Sequence, residues 1–500
     1  MEAYAAYNGT RTQAIAAAAV PKRRAGLSYA TMPAVTSVVI IGGGPGGYES
    51  ALVAAQLGAE VRVVDRDGLG GSAVLTDCVP SKTLIATAEV MTEVQGAAEL
   101  GLRFGAEGMP ASAREAVGVD LRSINTRLKT LAKTQSDDIA ARLASEGVDV
   151  IAGIGRLEGP DCVTATTHDG TEHRLRADIV LVATGASPRV LPTAIPDGER
   201  VLTWEDVYEL DELPQRLVVV GSGVTGAEFA SAYNALGGEV VLVSSRDRVL
   251  PGEDADAAMV LEDVFARRGV QVLSESRAET VSRHGDGVRV VLTDGRVVEG
   301  SHALLAVGSV PNTDGLGLAV AGVVTGPGDF VTVDRVSRTS ARGVYAAGDC
   351  TGVLMLASVA AMQGRIAMWH ALGDAVAPLD LKTVSSNVFT APEIATVGWS
   401  QRAVDAGEIS AVTLKLALSG NARAKMQGIR DGFVKMFCRP GTGIIVGGVV
   451  VGPRASELIH PLSIAVAEQL TVDQMAHAFT VYPSLSGSIA EAARRLHRRD

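Results

Sequence analysis

The sequence predicts an α/β protein with two Rossmann-like dinucleotide-binding units and a separate C-terminal α+β domain. Three observations carry the prediction. A glycine-rich turn set between a strand pattern and a helix pattern occurs twice. Glycine is abundant, at 56 of 500 residues with no collagen-like period, which suits a chain with many strand-to-helix turns. Beyond residue 383 the pattern changes to short extended segments followed by helical ones, as in a separate α+β domain.

The first unit opens on an apolar strand, Val38-Val39-Ile40-Ile41, which runs directly into Gly42-Gly43-Gly44-Pro45-Gly46-Gly47. A helical stretch over 48–57 and a second strand over 61–65 follow. The second unit repeats the pattern: Leu217-Val218-Val219-Val220, then Gly221-Ser222-Gly223-Val224-Thr225-Gly226, a helix, and Val240-Val241-Leu242-Val243-Ser244. A single G-x-G-x-x-G is weak evidence, but each copy here stands between strand and helix with a second strand at Rossmann distance. In each copy the first glycine (Gly42, Gly221) permits the turn. The second (Gly44, Gly223) lets a pyrophosphate approach the backbone, and the third (Gly47, Gly226) lets helix pack on strand. The helix N-terminus adds N–H groups and a positive dipole end.

Asp65 stands 23 residues after Gly42, where a carboxylate accepts a hydrogen bond from an unphosphorylated ribose 2′-OH. The same spacing in the second unit ends on Ser244, with Arg246 and Arg248 following. That end suits a 2′-phosphate and hence NADPH. The alternative is a pair of surface arginines beside a site that takes NADH or NADPH alike.

Several classes are excluded. With 47% hydrophobic and 20% charged residues the composition is that of an ordinary soluble globular protein. The formal net charge of -11 argues against a nucleic-acid partner. A basic cluster at the end (Arg494, Arg495, Arg498, Arg499) reads as a solvated helix end. Cys78, Cys162, Cys350 and Cys438 are far apart, without the spacing of a zinc site or a secreted disulfide scaffold. No apolar run is long enough to span a membrane. Residues 1–31 are Ala-rich with Lys22, Arg23 and Arg24 after the apolar stretch, the wrong order for a signal peptide. They read as an extension outside the fold, with a targeting segment as the alternative.

From about Val35 onward the motifs resemble, in order, those of the pyridine nucleotide–disulfide oxidoreductases typified by lipoamide dehydrogenase and glutathione reductase. Gly42 to Gly47 with Asp65 is similar to that family's FAD fingerprint. Ala183-Thr184-Gly185 and Val307-Gly308-Ser309-Val310-Pro311-Asn312 are similar to its two crossovers between domains. Tyr345-Ala346-Ala347-Gly348-Asp349 is similar to its second flavin motif, whose aspartate binds the ribityl chain. The resemblance implies an FAD domain in two parts, 32–182 and 309–382, interrupted by an NAD(P) domain at 183–308. A C-terminal domain, 383–500, would form a homodimer interface. FAD contacts then fall to Gly42, Gly44, Gly47, Asp65, Gly71, Ser72, Lys82, Gly185 and Asp349. Contacts to NADPH or NADH fall to Gly221, Gly223, Gly226, Arg246 and Gly308.

The departures from the family decide the reaction. Disulfide-reducing members read G-G-T-C-x4-C-x-P-S-K, and the two cysteines form the redox disulfide. Here the segment is Gly70-Gly71-Ser72-Ala73-Val74-Leu75-Thr76-Asp77-Cys78-Val79-Pro80-Ser81-Lys82: Cys78 is retained and its partner is Ala73. The family's C-terminal H-x-H-P-T-x-x-E, whose histidine base the partner subunit offers to the dithiol, has become Thr480-Val481-Tyr482-Pro483-Ser484-Leu485-Ser486-Gly487, so Tyr482 and Gly487 replace the base and its orienting acid. A thiol-exchange enzyme needs an attacking thiolate, a resolving sulfur and a base. Two of the three are gone together, and disulfide reduction is excluded.

Lys82 resembles the family's lysine beside flavin N5, and Glu228 the glutamate that pairs with it. A cation there stabilises the charge that arrives with hydride. Cys78 without a partner reads as packing. Tyr482 reads as interface packing, or as a phenol that donates a proton to an oxygen acceptor. The reading is therefore a cytoplasmic, FAD-dependent enzyme passing electrons from NAD(P)H to quinones or similar acceptors. Its alternatives are a pyridine nucleotide transhydrogenase and a non-catalytic flavin-binding scaffold.

Overall fold

Both glycine-rich turns sit at the carboxyl ends of strands in mostly parallel sheets. The computed structural model describes residues 35–102 and 117–497. The extension read over 1–31, like Arg498 and Arg499 of the basic tail, lies outside these residues. From Thr36 onward the chain clusters as one body.

Its first sheet has seven strands in the order Val344–Ala346, Ile179–Val182, Ser37–Ile41, Glu60–Asp65, Asp149–Gly159, Cys162–Thr167 and Glu172–Arg176. The first five run parallel and the last two are added antiparallel. Val38, Ile40, Val63, Val180 and Leu181 are fully buried, as in parallel strands covered on both faces. Each such side chain contributes roughly 1.5–3 kcal/mol. The helix Pro45–Gln56 covers this sheet together with the helix Ala357–Ala371. The two helices approach closely, because a Cβ on Gly364 would stand 2.3 Å from the Gly46 carbonyl oxygen.

The second sheet is wholly parallel, in the order Gln271–Leu273, Glu239–Val243, Arg216–Val220, His302–Leu305 and Val201–Leu202. It carries the helix Val224–Leu236, and an antiparallel three-stranded layer, Ala278–His284, Gly287–Leu292 and Val297–Gly300, lies beside it. The two crossover motifs pair with each other. Ala186–Pro188 runs antiparallel to Ser309–Pro311, Asn312 N–H donates to the Gly185 carbonyl, and Thr184 Oγ1 donates to the Asn312 carbonyl at 2.7 Å. The chain thus leaves the first sheet and returns to it through one two-stranded ribbon.

The C-terminal segment forms an antiparallel five-stranded sheet, in the order Ser385–Val388, Glu393–Gly398, Ile445–Gly452, Phe433–Cys438 and Val412–Ala417. Helices from Ala455–Leu458 to Gly487–Leu496 pack against it. Arg494 and Arg495 both pair with Glu491 on the last helix, the solvated end expected of that cluster. No helix among the described residues is long and apolar enough to cross a membrane.

Candidate active site

The three glycines of the first turn do three different things. Gly42 has φ +104°, and a Cβ there would lie 2.3 Å from the Ala183 carbonyl oxygen, so neither the backbone nor the space admits another residue. A Cβ on Gly47 would lie 1.8 Å from the Gly42 carbonyl oxygen, which brings the helix onto the strand. At Gly44 the nearest neighbour is the Cα of Gly71, at 3.9 Å. The space there is open, and no side chain caps the helix that Gly44 begins. The second turn repeats this plan. Gly221 has φ +114°, Cβ atoms on Gly221 and Gly226 would strike carbonyl oxygens at 2.1 and 1.9 Å, and Gly223 faces open space.

A cleft runs from the first turn between the glycine loop, the Gly71–Cys78 segment, the Thr184–Ser187 crossover and Asp349. Asp65 holds its far end. One carboxylate oxygen accepts from Gly43 N–H at 2.6 Å, and the other accepts from Gly68 N–H at 2.6 Å. Gly71 and Ser72 line the cleft where the short helix Gly71–Leu75 begins. Asp349 also lines it, with no hydrogen-bonded partner for its carboxyl among the described residues. Burial, followed by the nearby Asp77, lifts that carboxyl to about 6. An unpartnered carboxyl facing a cleft suits a ligand hydroxyl. Together with the open approach at Gly44 and Gly71, this meets the demands of a dinucleotide with a polyol chain.

Lys82 and Glu228 come together as the resemblance implied. Lys82 Nζ donates to Glu228 Oε2 at 2.8 Å, and Glu228 Oε1 accepts from Phe389 N–H at 2.8 Å. Glu228 is buried on the helix Val224–Leu236, and Lys82 lies one turn beyond Cys78 on the helix Cys78–Gly96, so the pair stands beside the cleft rather than in its lining. Burial pulls the Lys82 ammonium down, but the charge of Glu228 and its hydrogen bond outweigh this and leave it above the ordinary lysine value. Its Nζ also lies 5.1 Å from the Phe389 ring centroid.

Cys78 lines the cleft as a free thiol. Burial and then the adjacent Asp77 push it up to about 12, against a smaller pull from Lys82. It is therefore a protonated, weakly nucleophilic group at neutral pH. Cys350 is fully buried and likewise raised by burial, to about 11.

Two segments of the chain match family models: residues 36–364 that of the pyridine nucleotide-disulphide oxidoreductases, and residues 384–493 that of their dimerisation domain. The chain belongs to the pyridine nucleotide-disulphide oxidoreductases. It is 58% identical over 475 residues to a NAD(P)H dehydrogenase (quinone) of Mycobacterium tuberculosis (strain ATCC 25618 / H37Rv), covering 93% of this chain and 95% of that protein. It is 34% identical over 473 residues to a dihydrolipoyl dehydrogenase of Chlorobaculum tepidum, covering 93% and 97%. The crystal structure of LpdA from Mycobacterium tuberculosis superposes with a TM-score of 0.88 at 57% identity, over 93% of this chain and 100% of that one. The flavoprotein disulfide reductase RclA from Escherichia coli, at 23% identity and a TM-score of 0.80 over 92% and 99%, shares the fold.

As a member of the pyridine nucleotide-disulphide oxidoreductases the protein uses FAD and NAD(P)H, and the first cleft fits the flavin dinucleotide by the tests above. Gly185, with φ +70°, lines that cleft, and Gly308, with φ +95°, accepts a hydrogen bond from Arg189 N–H in the crossover ribbon.

At the second turn the structure adds a detail. Ser244 is fully buried, and its hydroxyl bonds to Ser222 Oγ at 2.7 Å and to the carbonyls of Arg246 and Arg248. It shapes the turn instead of facing a nucleotide. Arg246 is exposed, and the Nε of Arg248 is buried without a partner among the described residues. Tyr482 does not line this chain's own cleft. It is 83% exposed, and Phe479 and Val481 beside it are exposed too. Sequence reasoning passed over Asp77 and Glu205, both in the cleft lining. Asp77 lay inside the quoted Gly70–Lys82 segment, and its position directly before the retained cysteine was the available signal.

Proposed function

We propose that this chain is an FAD-dependent NAD(P)H:quinone oxidoreductase working without a redox disulfide. The observation that carries it is the pairing of an intact Lys82–Glu228 contact with a lone, protonated Cys78 beside the flavin cleft. The machinery for taking up hydride is present and that for thiol exchange is absent. A planar quinone needs no covalent intermediate, and its presence in the name of a 58% identical relative supports the same acceptor class.

FAD supplies the two-electron relay between nucleotide and acceptor. Gly42, Gly44, Gly47, Gly71 and Ser72 hold its phosphates and ribose against the first turn, and Asp65 and Asp349 accept from its hydroxyls. Lys82, oriented by Glu228, places a cation where negative charge develops during hydride arrival. Gly221, Gly223, Gly226 and Arg246 bind NADPH or NADH at the second turn. The protein acts as a homodimer through residues 383–500. The exposed Phe479, Val481 and Tyr482 form part of the surface that a second copy covers. Cys78, Cys162 and Cys350 are free thiols, which suits the reducing cytoplasm where we place the enzyme.

The test is anaerobic. The yellow protein should be bleached by NADPH and recoloured by a benzoquinone, with negligible turnover of lipoamide or glutathione disulfide. Bleaching followed by reoxidation with lipoamide and not with quinones would overturn the reading.

A further inference from the structure

Asp77 occupies the N-cap position of the helix Cys78–Gly96, yet its side chain makes no capping hydrogen bond. An aspartate at that position ordinarily accepts from the first-turn N–H groups. Here the backbone is pinned instead: Asp77 N–H donates to the Ser72 carbonyl at 2.7 Å, and Ser81 N–H donates to the Asp77 carbonyl at 2.7 Å. The carboxyl is left mostly buried, without a hydrogen-bonded partner among the described residues, in the lining of the cleft beside Ala73 and Cys78.

The charged and titratable groups around it come from every side. Cys78 and Lys82 lie on its own helix, and Glu228 lies on the helix Val224–Leu236. Glu205 and Tyr208 lie on the segment after Val201–Leu202, and Asp349 lines the same cleft. The cation that acts on it, Lys82, is already paired with Glu228, and Arg66 of the cleft lining is paired with Asp67. Burial raises the Asp77 carboxyl, Lys82 lowers it and Glu228 raises it again, with a net shift upward.

The overall reaction needs a proton that the reductant does not bring. NAD(P)H gives two electrons and one proton as hydride, whereas reduction of a quinone to its quinol takes two electrons and two protons. Cys78 lines the cleft but holds its proton too tightly to give it up readily. Asp77 is inside the cleft and has no internal partner to satisfy.

We propose that Asp77 donates that second proton: its carboxylic acid transfers a proton to an acceptor oxygen in the cleft as the two electrons and the hydride-derived proton arrive. The carboxylate then regains a proton from water, and the half-buried Glu205, whose Oε1 lies 3.4 Å from Thr76 Oγ1, is the neighbouring carboxyl on the way. This inference rests on the quinone reading above, and its test separates the two.

The experiment follows the half-reactions of the FAD-loaded protein by stopped flow, with NADPH as reductant and either a benzoquinone or ferricyanide as oxidant. Ferricyanide takes electrons and no proton. In Asp77→Asn, bleaching by NADPH and reoxidation by ferricyanide should stay within about twofold of the native rates. Reoxidation by benzoquinone should fall about a hundredfold, the usual scale of a positioned general acid, and should lose its solvent isotope effect. Asp77→Glu, which keeps the acid, should recover part of the quinone rate. Without any turnover, infrared spectra followed through a pH titration should contain a protonated carboxyl band that is absent from Asp77→Asn and persists above the ordinary aspartate range. Equal slowing with both oxidants, or an unchanged quinone rate and isotope effect in Asp77→Asn, would overturn the proposal. A native protein that reoxidises with ferricyanide and with no quinone would sink the acceptor assignment itself, and this proposal with it.

Discussion

Lys82 Nζ and Glu228 Oε2 meet at 2.8 Å although 146 positions separate them in the chain. The other carboxylate oxygen of Glu228 holds Phe389 N–H, a further 161 positions on. One buried carboxylate thereby ties the cysteine-bearing helix, the second Rossmann unit and the entry to the C-terminal sheet. Its rigidity comes from the second partner, Phe389, since a glutamate with only a lysine to hold has freedom to rotate.

Lys82→Met should slow flavin reduction by NADPH about a hundredfold, equivalent to roughly 3 kcal/mol of transition-state stabilisation. Flavin should remain bound, because the phosphate and ribose contacts lie elsewhere. Single-turnover bleaching measures this directly. A rate within a factor of three of native would remove Lys82 from the hydride step.

Glycines 44 and 47 should respond in opposite ways. Gly47→Ala puts a Cβ into the Gly42 carbonyl and should destabilise the fold by about 1–3 kcal/mol or abolish soluble protein. Gly44→Val has space within the protein itself and should fold, but emerge colourless because the pyrophosphate no longer approaches. Circular dichroism together with the flavin absorbance of the purified protein separates the two. A folded, fully yellow Gly44→Val would place FAD elsewhere.

Cys78→Ser should keep most NAD(P)H:quinone activity. Because the thiol is pushed up to about 12, its alkylation by iodoacetamide should be slow and rise steadily from pH 7 to pH 10 without a plateau. A plateau near pH 8 would reveal a thiolate that the burial and the neighbouring Asp77 do not permit.

Lys435 is buried at 2.8 Å from both oxygens of the equally buried Asp254, and it also pairs with Asp256. It joins the strand Phe433–Cys438 to the start of the helix Ala255–Arg267. Lys435→Met strands a buried carboxylate and should cost about 3–5 kcal/mol in chemical denaturation. Adding Asp254→Asn should restore a large part of that loss. No recovery in the double variant would mean that the pair acts through packing rather than charge.

Arg246→Ala should weaken NADPH more than NADH, because only NADPH loses a charge-assisted hydrogen bond. The exposed guanidinium of Arg246 is the group free to meet a 2′-phosphate. Titration of each nucleotide into the oxidised protein gives the ratio. Equal weakening of both would exclude Arg246 from the 2′ pocket.

The two Rossmann units were legible in the sequence because their demands are local. A strand ending in a turn with φ +104° and a helix seated on the turn's own carbonyl oxygen accept only glycine at Gly42 and Gly47, so the residue type announces the geometry. The loss of thiol chemistry was legible for a similar reason: Ala73 and Tyr482 lack the atoms the reaction needs, wherever they lie. Tertiary structure alone decided the rest. It closed the crossovers into one ribbon through Asn312 and Gly185, gave Glu228 its second partner in Phe389, and turned Ser244 inward onto Ser222. It also placed Asp77 in the cleft lining, uncapped. A side chain's hydrogen bonds and charge state depend on which distant segments fold against it and how much water they exclude. That information is written in the packing of the whole chain, not in the residue or its near neighbours.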